Sequence, residues 1–245
     1  MTEIEARAIA LLRETNEMYS KGHPQAANPG PVGRTASLLG TFEYLQVEGM
    51  VTLTGADRPY HLQVAQLVRS LLEAWFHTAW ILAPDIEELR LRRVIGFKAN
   101  GLRQYRAKLE YREEQGFGTV GPEEWEELIA QEGQVEELTE THGVDPLPTV
   151  KDGMEALGRP DLYEAYRWDS DVVHVSTTGL AFLVTDDVVG GLGSPSQVLT
   201  RLAMAWMVAG DLYELVAEAL GFELHDWAEK RQAAQDELEG LYDKI

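Results

Sequence analysis

Four residues in the segment 166–179, "YRWDSDVVHVSTTG", have the side chains that proton transfer and anion stabilisation require. Arg167, Ser170, Asp171 and His174 stand at relative positions 0, 3, 4 and 7. On an α-helix these spacings share one stripe, because seven residues return to within about 20° of the starting direction. The flanking Leu162, Tyr163, Tyr166 and Val173 place the stripe at the border of a buried face. An imidazole with a near-neutral pKa can move a proton, and a guanidinium can stabilise developing negative charge. Ser170 and Asp171 can orient either group. The same four residues can instead form a buried polar network, with His174 oriented by Asp171 or Ser170 and Arg167 neutralised by a carboxylate from a neighbouring helix.

Arg69 and Glu73 form a second feature, an i,i+4 pair on the most apolar helix of the chain. Charges sited there need partners. The economical expectation is that Glu73 reaches across the bundle to Arg167 or His174. Arg69, Glu73, His77 and Tyr166 then make up the wall of a polar pocket. A third arrangement is a metal site. Glu73 and His77 at i,i+4, and Asp171 and His174 at i,i+3, are similar to the inward carboxylate–histidine pairs of di-iron bundles. Such a site wants two Glu-x-x-His pairs and two further glutamates; Glu43 and Glu214 are the candidates, but nothing compels their use. The ligand set is incomplete, so the expectation is no metal and no cofactor.

The chain around these residues has 245 residues, 21 Lys+Arg and 41 Asp+Glu, a formal charge of −20. That charge opposes a general nucleic-acid or anionic-membrane surface and leaves only local contacts to phosphate. Cysteine is absent, which excludes disulfides, thiolate zinc sites and cysteine nucleophiles. The opening "MTEIEARAIALLRE" is charged and amphipathic, unlike a signal peptide. No apolar run approaches the length of a membrane span. A cytoplasmic protein without a membrane partner is expected.

Helical periodicity dominates from end to end. A first helix from about Thr2 carries Ile4, Ala8, Leu11, Leu12 and Met18, followed by the Pro/Gly-rich break "KGHPQAANPGPVGR". The next carries Leu38, Leu39, Phe42, Leu45 and Met50 as its apolar positions. A third, from Asp57 or Pro59 to Pro84, is apolar around much of its circumference and should be central. A long basic helix over 85–115 has Gly96 and Gly101 as weak points. Pro122 opens an acidic helix, a short one over 150–157 ends at Gly158, and the helix of the opening motif starts at "RPDLYEAY". Pro195 starts a strong helix stopped by Gly221, and a last one covers 223–242. Eight Lys/Arg lie between Arg90 and Arg112, whereas eleven Asp/Glu and no Lys or Arg lie between Glu113 and Val150. Two such neighbours should pair as an antiparallel hairpin. The alternative keeps part of the basic helix free for a phosphate backbone. The expected fold is a single all-α domain over 1–245, its core about 57–220, with 1–56 and 221–245 as flanking helices.

Arg167, six residues and His174 resemble the R-x(4–6)-H signature of HEPN domains, all-α proteins that include toxin and phage-defence ribonucleases. The pattern is also similar to a bacterial family of uncharacterised helical proteins. There "R-S-L-x-E", here Arg69, Ser70, Leu71 and Glu73, precedes "Y-R-x-x-S-x-x-x-H", here Tyr166, Arg167, Ser170 and His174. The resemblance implies a HEPN-like core and a metal-independent endoribonuclease or nucleotide-binding protein of a toxin or defence system, acting as a homodimer with RNA or an antitoxin as partner. His174 would transfer the proton of a 2′-hydroxyl attack, Arg167 would hold the scissile phosphate, Ser170 would position the RNA or imidazole, and Asp171 would orient His174. A non-catalytic helical module that binds a partner protein or small ligand through the same pocket stands as the alternative, and a di-iron oxidase behind it.

Overall fold

The computed structural model describes residues 3–22, 30–54, 61–116, 120–173 and 195–242. Among these the regular structure is entirely α-helical, as the periodicity requires. The helices are α1 (Glu3–Gly22), α2 (Pro31–Thr54), α3 (His61–Leu82), α4 (Glu87–Gln115), α5 (Pro122–His142), α6 (Val150–Ala156), α7 (Pro160–Val173), α8 (Pro195–Leu220) and α9 (Trp227–Tyr242). No described helix is long and apolar enough to cross a membrane. The chain divides into two compact units, Met1–Ala79 with Val150–Ile245, and Trp80–Thr149, a division that the periodicity alone does not reveal.

In the first unit α1, α2 and α8 pack on one another, α9 rests on α1 and α8, and α6 packs on α7. Through residue 79, α3 buries Val64, Ala65, Val68, Leu71, Leu72, Ala74, Trp75, Phe76 and Ala79 in the core, while Gln63 and Gln66 are exposed and Arg69, Ser70, Glu73 and His77 are half-buried. Its Leu67 lies against Gly49 of α2, and its Phe76 ring occupies the space that a side chain at Gly153 of α6 would need.

The seam of α1, α2 and α8 is polar inside. Tyr19 and Tyr213 stack with centroids 4.0 Å apart. The Tyr213 hydroxyl donates to Asn16 Oδ1 at 2.5 Å, and Asn16 Nδ2 donates to Glu48 Oε1 at 2.6 Å. Gly40 is required here, because a Cβ would lie 2.1 Å from the Tyr19 hydroxyl oxygen. Glu43 is fully buried; Thr78 Oγ1 donates weakly to its Oε1 at 3.4 Å, and Oε2 has no hydrogen-bond partner among the described residues. Burial therefore pushes the Glu43 pKa well above the ordinary carboxylate value. A group whose folded pKa is raised favours the fold most below its unfolded pKa and loses that contribution as pH rises through the folded one. Glu43→Gln keeps the shape and removes the titration. Its stability relative to wild type, followed by urea denaturation at pH 5 and pH 8, should therefore improve at the higher pH. A difference that does not move with pH would show that Glu43 is ionised in the fold.

In the second unit α4 and α5 form the hairpin expected from their opposite charges. Arg112 pairs with Glu124 at 3.1 Å, Arg106 with Glu132, and His142 Nδ1 lies 3.4 Å from Glu88. As the α4 number falls the α5 number rises, so the pair is antiparallel. Leu109, Val120 and Leu128 make its small core, with Leu102 and Trp125 against them. Arg93 binds Asp145 at 2.9 Å and lies over the Trp80 ring. Contrary to the expectation of weak points, α4 runs unbroken through Gly96 and Gly101. Gly96 instead admits the Asp145 carbonyl oxygen, 2.0 Å from where a Cβ would stand. The last helix starts at Trp227, later than 223, because Gly221 at φ 70° ends α8 with Phe222 N–H bonded to the Ala217 carbonyl, and Asp226 takes φ 55° before α9.

Candidate functional site

Helix α7 holds the polar motif, and its packing decides which residues face inward. Leu162 is buried, and Asp169, seven residues on, falls in the same helical phase and is buried with it. Asp169 Oδ1 accepts from Arg201 Nε of α8 at 3.1 Å. Burial pushes the Asp169 pKa up, and Arg201 opposes that rise. The inward carboxylate of this helix is thus Asp169, which the motif reading passed over. Its signal was present in the phase shared with Leu162.

The stripe proposed for Arg167, Ser170, Asp171 and His174 divides in the structure. Ser170 faces α3, where its Oγ accepts from Arg69 Nε at 2.8 Å. Tyr166, one turn earlier, accepts from Arg69 Nη2 at 2.9 Å, and the guanidinium carbon lies 5.0 Å from the Tyr166 ring centroid. Arg167 lies on the exposed side of the helix, beside Trp168, and no described carboxylate pairs with it. The expected neutralisation of Arg167 by a neighbouring helix is therefore corrected: the α7 face turned towards the bundle carries Tyr166, Asp169 and Ser170. Asp171 lies in α7, but its side chain is outside what the structure describes, and His174 lies outside the described residues.

Across the bundle, α3 contributes Arg69, Glu73 and His77, which recur every four residues. Among the described residues Arg69 links α3 to α7 and Glu73 does not reach Arg167, while His174, the other partner expected for Glu73, lies outside the described residues. Glu73 is half-buried and forms no ion pair with Arg167 or with any other described cation. Arg69 is held by two neutral hydroxyl oxygens and has no carboxylate partner among the described residues. Burial lowers the His77 pKa to about 4, which leaves the imidazole neutral at pH 7, beside the Phe76 ring. Such a residue can accept a proton or a hydrogen bond but holds no charge of its own.

No three His, Asp or Glu among the described residues are placed to share a metal ion. Glu43 is buried beside Thr78. Glu214 accepts from Trp227 and from Arg231 at 2.7 Å, so the two glutamates considered for a di-iron site have other surroundings.

A family model matches residues 46–191, more than half of the chain, and its description is a family of unknown function, DUF5677. The chain belongs to this family. No curated protein and no solved structure gives a match. The DUF5677 span includes Arg69, Glu73 and His77 of α3 together with the whole 166–174 motif. It leaves out α1, most of α2, α8 and α9.

Proposed function

We propose that this DUF5677 chain is a HEPN-type protein that binds and cleaves RNA, or binds a nucleotide, without a metal, as part of a bacterial toxin or defence system in the cytoplasm. One observation carries the reading. In a chain of net charge −20, Arg69 and Arg167 both lack a carboxylate partner among the described residues. A guanidinium left uncompensated, and in the case of Arg69 held rigidly by hydroxyl groups, is suited to a phosphate. Arg167 would hold the scissile phosphate and His174 would take the 2′-hydroxyl proton and protonate the leaving oxygen. Ser170, tied to Arg69, would position the RNA, and Asp171 would orient His174. An antitoxin or a second copy of the chain are the protein partners of this reading.

A non-catalytic module is the second reading, favoured by the Arg69–Tyr166–Ser170 network, which can act as a lock between α3 and α7. The two are separated by incubating the protein with mixed structured and single-stranded RNAs in excess chelator. Cleavage should leave cyclic phosphate ends and weaken as salt screens the local cations. Arg167→Ala and His174→Ala should each abolish it without changing the helical content. Wild type that leaves every RNA intact, alone and with its genomic neighbour supplied, returns the motif to a structural or partner-binding role.

A further inference from the structure

Helix α2 leaves part of its apolar surface exposed. It buries Val32, Val47, Met50 and Val51 together with the small or polar Gly33, Thr35, Ala36, Gly40, Glu43 and Thr54. Leu38, Phe42 and Leu45, at i, i+4 and i+7, are instead 73%, 45% and 59% exposed. Between Arg34 and Thr52 the exposed positions of this helix, Leu38, Thr41, Phe42, Leu45 and Thr52, carry no charge. In a chain of net charge −20 such a face is where two copies can approach without acid meeting acid.

We propose that α2 pairs antiparallel with α2 of a second copy across a two-fold axis between Thr41 and Phe42. An isologous contact must be self-complementary, and this one is. In that register Leu38 meets the partner's Leu45, and Phe42 meets the partner's Thr41. Arg34, exposed and without a described carboxylate partner, comes within one residue of the partner's Glu48. Glu48 uses Oε1 for Asn16, which leaves Oε2 for the incoming guanidinium. The pairing aligns apolar with apolar at the centre and opposite charges at both ends, as two-fold helix pairs require. Leu38, Phe42 and Leu45 all precede the matched family span, which begins at residue 46. The inference does not rest on the proposed RNA chemistry.

The test is sedimentation equilibrium of the full chain at about 0.15 M salt, an ionic strength at which exposed charges beyond about 8 Å are screened. Wild type should have twice the 27.4 kDa chain mass. Leu38→Lys and Leu45→Glu should each sediment as a folded monomer with unchanged circular dichroism. Ile129→Lys, at an exposed apolar position of α5, should remain dimeric. Mixing the Leu38→Lys and Leu45→Glu chains should restore a dimer, because one Lys–Glu and one Leu–Leu contact then form across the axis. A monomeric wild type, or a dimer that survives Leu38→Lys, would overturn the surface. Two monomeric variants that fail to recombine would overturn the antiparallel register.

Discussion

Arg201→Met should lower the stability of the fold by about 3–5 kcal/mol at pH 7, the usual cost of leaving one member of a buried ion pair without its partner. Asp169 is 5% exposed, and its carboxylate is 3.1 Å from Arg201 Nε. Methionine keeps most of the apolar stem of the arginine, so the change reports the missing charge rather than lost packing. The sign of the pH dependence follows from the Asp169 pKa, which burial already raises above the ordinary aspartate value of 3.8 despite Arg201. Removing the cation raises it further. At pH 4 the carboxyl is protonated in the folded variant and close to half protonated in the unfolded chain, so holding the proton costs little and the variant should lose little. As pH rises towards 7 the folded variant must hold a proton that the unfolded chain releases, and the loss grows. Asp169→Asn in the Arg201→Met background should recover part of the stability at pH 7 and little at pH 4. Urea denaturation of the three proteins at both pH values measures this. A loss from Arg201→Met that is equal at pH 4 and pH 7 would show that the pair does not act through its charge.

Gly96→Ala and Gly101→Ala should move stability in opposite directions, although both place the same methyl group on the same helix. At Gly96 the new Cβ would lie 2.0 Å from the carbonyl oxygen of Asp145 and 3.2 Å from Cα of Pro146. Those atoms are backbone, and Asp145 is further fixed by its N–H bond to the Arg92 carbonyl and its ion pair with Arg93. No flexible side chain can move aside, so the cost should reach about 3 kcal/mol, the upper part of the range for overpacking. At Gly101 nothing lies within 4 Å, and alanine in a helix interior should add about 0.5–1 kcal/mol through the entropy of the unfolded chain. The Arg93–Asp145 contact should fail with Gly96→Ala, exposing 143–149 to proteolysis. Equal urea midpoints for the two variants would mean that the 143–149 segment does not dock on α4.

Some of this molecule can be read directly from residue order. The 3.6-residue period determines the all-α class of the described residues, because an apolar face at that spacing can be buried only by a helix. The α4–α5 hairpin follows from eight basic residues preceding eleven acidic ones, since the alternation in charge and a short connection leave one antiparallel neighbour. The broad buried face of α3 follows from apolar residues over much of its circumference. In each of these the deciding physics acts within one helix or between consecutive ones.

What the tertiary structure alone decided is the rotation of helices about their own axes and the choice among polar partners. Polar residues at 166, 167, 169, 170 and 171 of α7 surround most of the helix, so spacing cannot say which of them faces inward. Packing against α8 and α3 turned Asp169 and Ser170 in and Arg167 out. Arg69 had Glu73 one turn away, yet it binds Tyr166 and Ser170, residues about a hundred positions further along the chain. In α2 Gly40 lies inside against Tyr19, itself stacked on Tyr213, where a Cβ has no room, while Leu38 and Leu45 are exposed. Hydrophobicity scores each residue singly, whereas burial is settled by which shapes fit together at close packing. Sequence therefore determined the helical class, and the fit between distant helices determined which polar partners their described charged residues meet.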